Sequence, residues 1–388
     1  MKKIFLILLI LLLASACRRS NLIPEGARGF SDEYIAEHTG KVSIEIPDVY
    51  EISHFVMALE DKDMSYSSFV RSDGSYYQDV MDHFGEYRDH PLIQNLDLAS
   101  SLGLNVTYFE RHYNYRGNSY LYELQGSRLR FKNIYTFMYR NPEIVNLFQL
   151  HLDDFIDFMR QSDAVGFLEE HRDFYREQED WYHKGVDVKD MWMWLEEKFP
   201  RRFQACKVIL SPLTRSSHNT LYFTNVSVAE SRNQELFEEM IIFVSALRSD
   251  PALMTPVQRA ANQRTVFTEI DHHYVNPITD RYVVRLDNAM QHLDKWNEDA
   301  TGVYIGARST FNEYMTWAVF CLWTLDREEE AIANEVIEGV VDVMENFRGF
   351  TKFSLFTQEL ISLYQADPSS LDQLYPPMLD WVEEEDKR

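Results

Sequence analysis

The stretch from Thr265 to Pro277 carries residue types at a spacing that suits metal-dependent hydrolysis. Two histidines four positions apart on one helix can hold a zinc ion, and a glutamate directly after the first can take a proton from the metal-bound water. Glu269 and His272 occupy the glutamate and second-histidine positions of that pattern. Thr268 stands where the first histidine should be, and a threonine hydroxyl is a weak zinc ligand. The pattern therefore predicts a degenerate site with His272 as a metal ligand and Glu269 as the general base.

His273 is an alternative ligand, because it directly follows His272. Adjacent helix positions point about 100° apart, so both rings can hold one ion only if the helix is distorted. Glu269 and His273 are also four positions apart and could pair with each other, which would take Glu269 away from the role of base. Three states of the site stay open: a metal site rebuilt around His273, a weak residual site, and no functional metal.

Several stretches together resemble one protein family. The motif helix resembles that of a family of uncharacterised bacterial lipoproteins with a zincin-like domain, in which it reads approximately HEFxHxxVNP. The resemblance covers most of the chain from Lys41 onward. The other stretches that carry it are Tyr274–Pro277, Val208–Leu213, Asp89–Pro91 and Phe311–Tyr314.

The resemblance implies a glutamate-type zincin, a metallopeptidase class in which a glutamate on a later helix is the third metal ligand. Glu313 matches that residue, in an otherwise apolar stretch. The implied cofactor is zinc, held by His272 and Glu313, while Thr268 departs from the family pattern. Burying an unpaired carboxylate is costly, so Glu313 needs a metal or an arginine partner. Arg308, Arg281 and Arg285 are the candidate arginines.

The elements that position these residues are expected to be mainly helices. Apolar residues recur at helical spacing before and after two short β-like runs, and Pro277 gives the motif helix a natural stop. The predicted class is therefore α+β, mostly α. The predicted strands are Ala205–Leu210 and Thr220–Val228, and the helices after them are Gln234–Leu247, Val257–Tyr274, Tyr282–Trp296, Thr310–Leu325, Glu328–Phe347 and Ser354–Tyr364.

The same patterns suggest a division into domains. We expect a mainly helical region over residues 41–200 and a zincin-like metallopeptidase domain with a small sheet over residues 201–375. The charged residues 376–388 are expected to be an acidic, frayed tail. Two cysteines in apolar stretches, Cys206 and Cys321, are expected to be buried thiols.

The first residues predict export and anchoring. A short basic start, an apolar run and the small residues before Cys17 are typical of a secretory signal over residues 1–16. A cysteine in that place resembles the lipobox of bacterial lipoproteins, which predicts lipidation of Cys17, a tether over residues 17–40 and a lipid anchor in the outer or cell membrane. The lack of an acidic cluster after Cys17 favours a body facing the periplasm. An ordinary cleaved signal is the alternative.

The charge balance limits the partners. The net charge of −24 excludes a nucleic-acid partner, because such binding depends on basic residues that neutralise phosphates. Three functions then remain: a degenerate metallopeptidase-like protein that binds a peptide or protein of the cell envelope without efficient catalysis, an active zinc metallopeptidase with a rebuilt ligand set, and a structural envelope lipoprotein.

Overall fold

The computed structural model describes residues 30–60, 69–96, 108–132, 147–225, 229, 233–298, 304–367 and 370–388. The chain is mostly helical with a small mixed sheet, which confirms the predicted α+β, mostly α class. The strands are β1 (Val42–Glu45), β2 (Tyr122–Gln125), β3 (Arg128–Phe131), β4 (Ala205–Ser211), β5 (Asn219–Thr224) and β6 (Glu238–Ser245). The α-helices are Asp32–His38, Asp48–Glu60, Ser75–Phe84, Pro91–Gln94, Tyr108–Ser119, Leu147–Leu150, Leu152–Gln161, Ala164–Glu170, Arg172–Gly185, Val188–Lys198, Pro256–Thr279, Val283–Ala289, Ala307–Arg327, Glu330–Asp342, Phe353–Ala366 and Tyr375–Asp386.

The chain forms two compact units. Unit 1 contains the described residues of Met1–Glu179, Gln204–Ser217 and Leu221–Ala246, and unit 2 contains those of Asp180–Phe203, His218–Thr220 and Leu247–Arg388. The predicted boundary at Pro200 therefore does not coincide with the division of the chain. The reason is strand pairing, because β4 lies beside β1 in register, with Ile44 opposite Val208.

The main sheet has the strand order β1–β4–β6–β5, with β1, β4 and β6 parallel. The prediction of a helix at Gln234–Leu247 is wrong, because residues of this stretch form β6. Met240 to Val244 is an unbroken apolar run that is buried throughout. Such a run fits a central parallel strand as well as a buried helix, and periodicity alone does not distinguish them.

The structure places residues 30–40 in unit 1, where the sequence predicted a tether. Ser31 caps the helix Asp32–His38 by accepting a hydrogen bond from the Tyr34 amide. Phe30 is buried and its ring packs edge-on against Phe237. The apolar contact explains why the start of this segment is held against the sheet. Cys17 and the predicted signal lie outside the described residues.

Unit 2 is built around two long helices: the motif helix, Pro256–Thr279, and the glutamate helix, Ala307–Arg327. The motif helix begins with a capping box between Thr255 and Gln258. It continues through Pro277, so the predicted stop at this residue is wrong. Pro277 has no amide hydrogen to donate to the carbonyl of His273, and the Arg201 guanidinium donates to that oxygen instead, at 3.3 Å.

The end of the chain is a packed helix, Tyr375–Asp386, rather than a frayed acidic tail. Met378, Leu379 and Val382 are buried along it. Its last acidic residues are also held, since Glu385 pairs with Lys352 and Asp386 with His292. Cys206 and Cys321 are buried thiols, as expected. Within the described part of the chain, no helix is long and apolar enough to cross a membrane.

Candidate functional site

The motif helix and the glutamate helix bring two of the predicted ligands together. The Nε2 atom of His272 lies 3.9 Å from Oε1 of Glu313, and the two side chains are 19% and 12% exposed. On the other side of the imidazole, Nδ1 lies 3.3 Å from the side-chain oxygen of Asn276, one turn later on the same helix. This contact orients the ring so that Nε2 is the nitrogen directed at Glu313.

The partner of Glu313 is an arginine that the sequence patterns did not single out. Nη2 of Arg348 donates to Oε2 of Glu313 at 2.8 Å and also donates to the hydroxyl of Tyr304. The candidates Arg308 and Arg285 pair elsewhere, with Asp280 and Asp380. Glu313 therefore has the charged partner that the sequence predicted, in an ion pair with Arg348.

Arg348 reaches Glu313 because the preceding helix ends irregularly. The α-helix Glu330–Asp342 widens into a π-helical turn, Val343–Phe347, which Arg348 terminates. Gly349 then turns the chain with a φ of +72°, a left-handed conformation that favours glycine. Sequence periodicity cannot reveal this geometry, since a π-turn shifts every later residue around the helix axis.

The charges in this cluster alter one another's ionisation. Burial lowers the pKa of Arg348, but the carboxylate of Glu313 and the hydroxyl of Tyr304 outweigh burial and raise it. Burial, followed by the negative charge of Glu313, raises the pKa of Tyr304, and Glu269 adds to this effect. Arg348 is therefore a fixed cation, and Glu269 lies near enough to act on the same tyrosine.

Thr268 is turned toward its own helix. Its hydroxyl donates to the carbonyl of Arg264 at 3.0 Å and lies 3.4 Å from the carbonyl of Thr265. Back-bonding of this kind is common for threonine within a helix. The position at which a zincin has its first histidine therefore offers a hydroxyl group that is already engaged.

His273 is held away from Glu313. Its Nε2 atom is hydrogen-bonded to the hydroxyl of Thr220, and its ring packs against Phe203 with centroids 5.2 Å apart. Burial, with the nearby Arg201 and His272, lowers the pKa of His273 well below its usual value, so the ring is neutral. The structure thus brings His272 and Glu313 together and does not bring His273 to them.

Asp271 is the most deeply buried acid of the motif helix. It has no exposed surface, and neither of its carboxyl oxygens has a hydrogen-bond partner among the described residues. Burial, with the charges of Glu269 and Glu313, raises its pKa well above the usual value. Asp271 is therefore a neutral acid that adds no negative charge to the site.

Two further residues line the site at helical spacing. Arg264 lies one turn before Thr268 on the motif helix, and Trp317 lies one turn after Glu313 on the glutamate helix. The guanidinium carbons of Arg264 and Arg348 lie 4.7 Å and 4.6 Å from the centroid of Trp317. We call Arg264, Trp317 and Arg348 the arginine–tryptophan stack. Spacing by four from the predicted site residues would have found Arg264 and Trp317, but not Arg348.

The donor set does not fit a catalytic zinc. Such a site has three protein ligands and a water molecule, whereas His272 and Glu313 are the only two predicted ligands that the structure brings together. Among the described residues, no group of three or more histidine, cysteine, aspartate or glutamate side chains is arranged to hold a metal ion. Glu313 is also ion-paired to Arg348, which supplies the positive charge that a metal would otherwise supply.

Comparison with known proteins gave no relative from which a role could be transferred. The chain matches no protein-family model, no curated protein and no solved structure.

Proposed function

We propose that this protein is an exported lipoprotein whose unit 2 is a degenerate zincin-like metallopeptidase domain that binds peptide or protein in the cell envelope without catalysing hydrolysis. The observation that carries the proposal is the ion pair of Glu313 with Arg348, at 2.8 Å, beside His272. On this zincin-like pair of helices, Glu313 and the neighbouring His272 lie beside the cation Arg348 rather than beside a metal. The engaged hydroxyl of Thr268 points to the same conclusion.

The surroundings of the ion pair favour a binding role over a purely structural one. His272, Tyr304 and Trp317 are only partly buried, so a ligand can reach them. Ile305 and Phe347, the chain neighbours of Tyr304 and Arg348, are 70% and 79% exposed. These exposed apolar side chains can add apolar contact area for a molecule bound at the partly exposed polar groups.

The anchor is a separate part of the proposal. Lipid on Cys17 would keep the body at a membrane, facing the periplasm, where it meets peptides and proteins of the envelope. Mass spectrometry of the N-terminal peptide tests this part. We expect a lipid-modified Cys17, and an unmodified N-terminus released into the soluble fraction would contradict the anchor.

One experiment tests binding and catalysis together. The full-length protein, immobilised from detergent and supplied with zinc, is incubated with a random tetrapeptide library. We expect retained peptides that are recovered intact. Cleavage that disappears in Glu269→Gln would contradict the non-catalytic function, and failure to retain any peptide would contradict the binding function.

A further inference from the structure

The cation that stands out in the site is Arg264. Its guanidinium is half-buried against Trp317, and among the described residues no carboxylate lies within ion-pair distance of it. Arg348, on the same tryptophan, is balanced by Glu313, whereas Arg264 has no such carboxylate in the part of the chain that the structure describes. Partial removal of an unpaired charge from water is costly, so the protein retains Arg264 here against an electrostatic penalty.

The ionisation of Arg264 is consistent with this penalty. Burial, followed by the positive charge of Arg348, lowers the pKa of Arg264 below its usual value. A bound anion would offset both effects at once. A guanidinium placed over an aromatic ring, as that of Arg264 is over Trp317, also presents a planar fork of donors, which suits a carboxylate.

We propose that Arg264 binds the C-terminal carboxylate of a peptide whose preceding residues extend along the motif helix toward His272 and Glu313. The inference rests on the proposed peptide-binding function and adds the chemical group by which the peptide is recognised. A single negative charge fits better than the two of a phosphate, because Glu313 already neutralises Arg348. Capture of a terminal carboxylate is a known mode of peptide recognition.

The spacing of Arg264 and His272 on the motif helix gives the length of a peptide probe. Arg264, Thr268 and His272 follow one another at intervals of four on the motif helix, so they share a face. Arg264 and His272 are therefore separated by roughly 12 Å along the helix axis. An extended chain rises about 3.3 Å per residue, so roughly four residues connect the two positions. A tetrapeptide is accordingly a suitable probe.

The test compares two forms of one random tetrapeptide library, with free C-terminal carboxylates or with C-terminal amides, on the full-length protein. We expect the free-acid library to be retained about 10-fold more strongly than the amide, because the amide loses the charge-assisted hydrogen bonds to the guanidinium. Arg264→Gln should abolish the difference. Arg264→Lys, which keeps the charge but loses the planar fork, should keep part of it.

A matched control removes the same charge elsewhere in unit 2. Arg308 lies on the exposed face of the glutamate helix, paired with Asp280, and Arg308→Gln should leave retention within about twofold of the native protein. Circular dichroism checks that every variant is folded, and Arg264→Lys provides the comparison if Arg264→Gln does not fold.

The outcomes separate this inference from the function on which it rests. Equal retention of the acid and amide libraries would overturn the carboxylate inference and leave peptide binding intact. Retention of neither library would overturn the proposed function itself. Displacement of the free-acid peptides by millimolar phosphate, but not by acetate, would overturn the assignment of a carboxylate in favour of a phosphate site.

Discussion

Each unit contains a cluster of ionisable side chains, and the two clusters are built on opposite principles. In unit 1, the buried polar cluster consists of Glu51, His54, Tyr76, Tyr175 and Thr214. Tyr76 donates to Glu51 at 2.8 Å and contacts Tyr175 at 2.7 Å, while His54 is bonded to Thr214 at 2.9 Å. These contacts are hydrogen bonds, and none of them is an ion pair.

Burial in unit 1 also shifts the pKa values of Glu51 and His54 toward their neutral forms. Burial raises the pKa of Glu51 to about 7, although hydrogen bonds from Ser211 and Tyr76 oppose it. Burial, followed by the charge of Arg116, lowers the pKa of His54 to about 3. Both side chains have no exposed surface. The cluster in unit 1 is therefore suited to hold the fold together and is closed to ligands.

The cluster in unit 2 keeps its charges and its access to solvent. Glu313 and Arg348 form an ion pair with side chains that are 12% and 23% exposed, next to a second cation, Arg264. Ionisable residues in a predicted helix can therefore stabilise the fold or bind a ligand. The charge of their partners and the exposed fraction of their side chains distinguish the two roles.

The largest expected effect separates the two histidines. His54→Ala removes a fully buried ring and leaves the Thr214 hydroxyl without its partner, so we expect a loss of about 3 kcal/mol in the free energy of unfolding. His272→Ala should cost less than about 1 kcal/mol, because that ring is partly exposed. Urea unfolding followed by circular dichroism measures the free energy of unfolding of both variants. Equal losses would contradict the proposed difference between the two clusters.

Tryptophan fluorescence reports on the unfolding of unit 2 alone. All 7 tryptophans of the chain fall in unit 2. If the units unfold separately, His54→Ala should shift the circular dichroism transition more than the fluorescence transition.

The next effect is a pH dependence that belongs to Glu51. Its pKa is about 7 in the fold and 4.5 ordinarily, so the folded state keeps a proton that the unfolded chain releases. The stabilisation is fully present below pH 4.5 and is lost as the pH rises to 7. Glu51→Gln has no such proton to lose. We expect the native protein to lose about 3 kcal/mol relative to this variant over that range.

Urea unfolding of the native protein and Glu51→Gln across this pH range measures the difference directly. A constant difference between the two proteins would contradict the neutral state of Glu51. The same comparison with Asp380→Asn, an exposed partner of Arg285, serves as a control and should show no change of this sign.

A smaller effect is expected from the ion pair of unit 2. Arg348→Met leaves a mostly buried Glu313 without its cation, and we expect a loss of about 2 kcal/mol, less than for a fully buried pair. Adding Glu313→Gln should recover part of the loss, because the unpaired charge is then removed. A double-mutant cycle with no coupling between the two positions would show that the ion pair is not formed in solution.

The smallest effect is expected at Thr268. Among the described residues its hydroxyl bonds to carbonyls of its own helix, so Thr268→Val should change the free energy of unfolding by less than about 0.5 kcal/mol. Thr220→Val, which removes the hydroxyl bonded to the buried His273, should cost more in urea unfolding. A larger loss for Thr268→Val than for Thr220→Val would contradict this ranking.

The sequence predicted the helices of unit 2 better than the sheet of unit 1. The motif and glutamate helices are long and periodic, so their existence followed from periodicity. The approach of His272 to Glu313 was expected only from the resemblance to a zincin-like family. β6 was mistaken for a helix because its buried apolar run has no period. β1 was missed because four residues carry little pattern, and only its pairing with β4 identifies it as a strand.

The parts of the site that sequence reasoning missed depend on distant or irregular contacts. Arg348 is 35 residues from Glu313 and follows a π-turn, so no local pattern links the two. The side chains of Thr268 and His273 are also held by hydrogen bonds, which the spacing of residues along the sequence does not reveal. Asn276 and Trp317, by contrast, lie at helical spacing from His272 and Glu313 and could have been predicted.

We propose that Arg348 occupies the place of a metal ion beside Glu313 in unit 2. The test is the zinc content of the full-length protein, supplied with zinc and purified without chelator, measured for the native protein and for the double variant Thr268→His with Arg348→Met. We expect far less than one zinc per chain in the native protein and about one in the double variant, because Thr268→His adds a third ligand and Arg348→Met frees Glu313. About one zinc per chain in the native protein, lost in His272→Ala, would show that a metal is bound and would overturn the proposal.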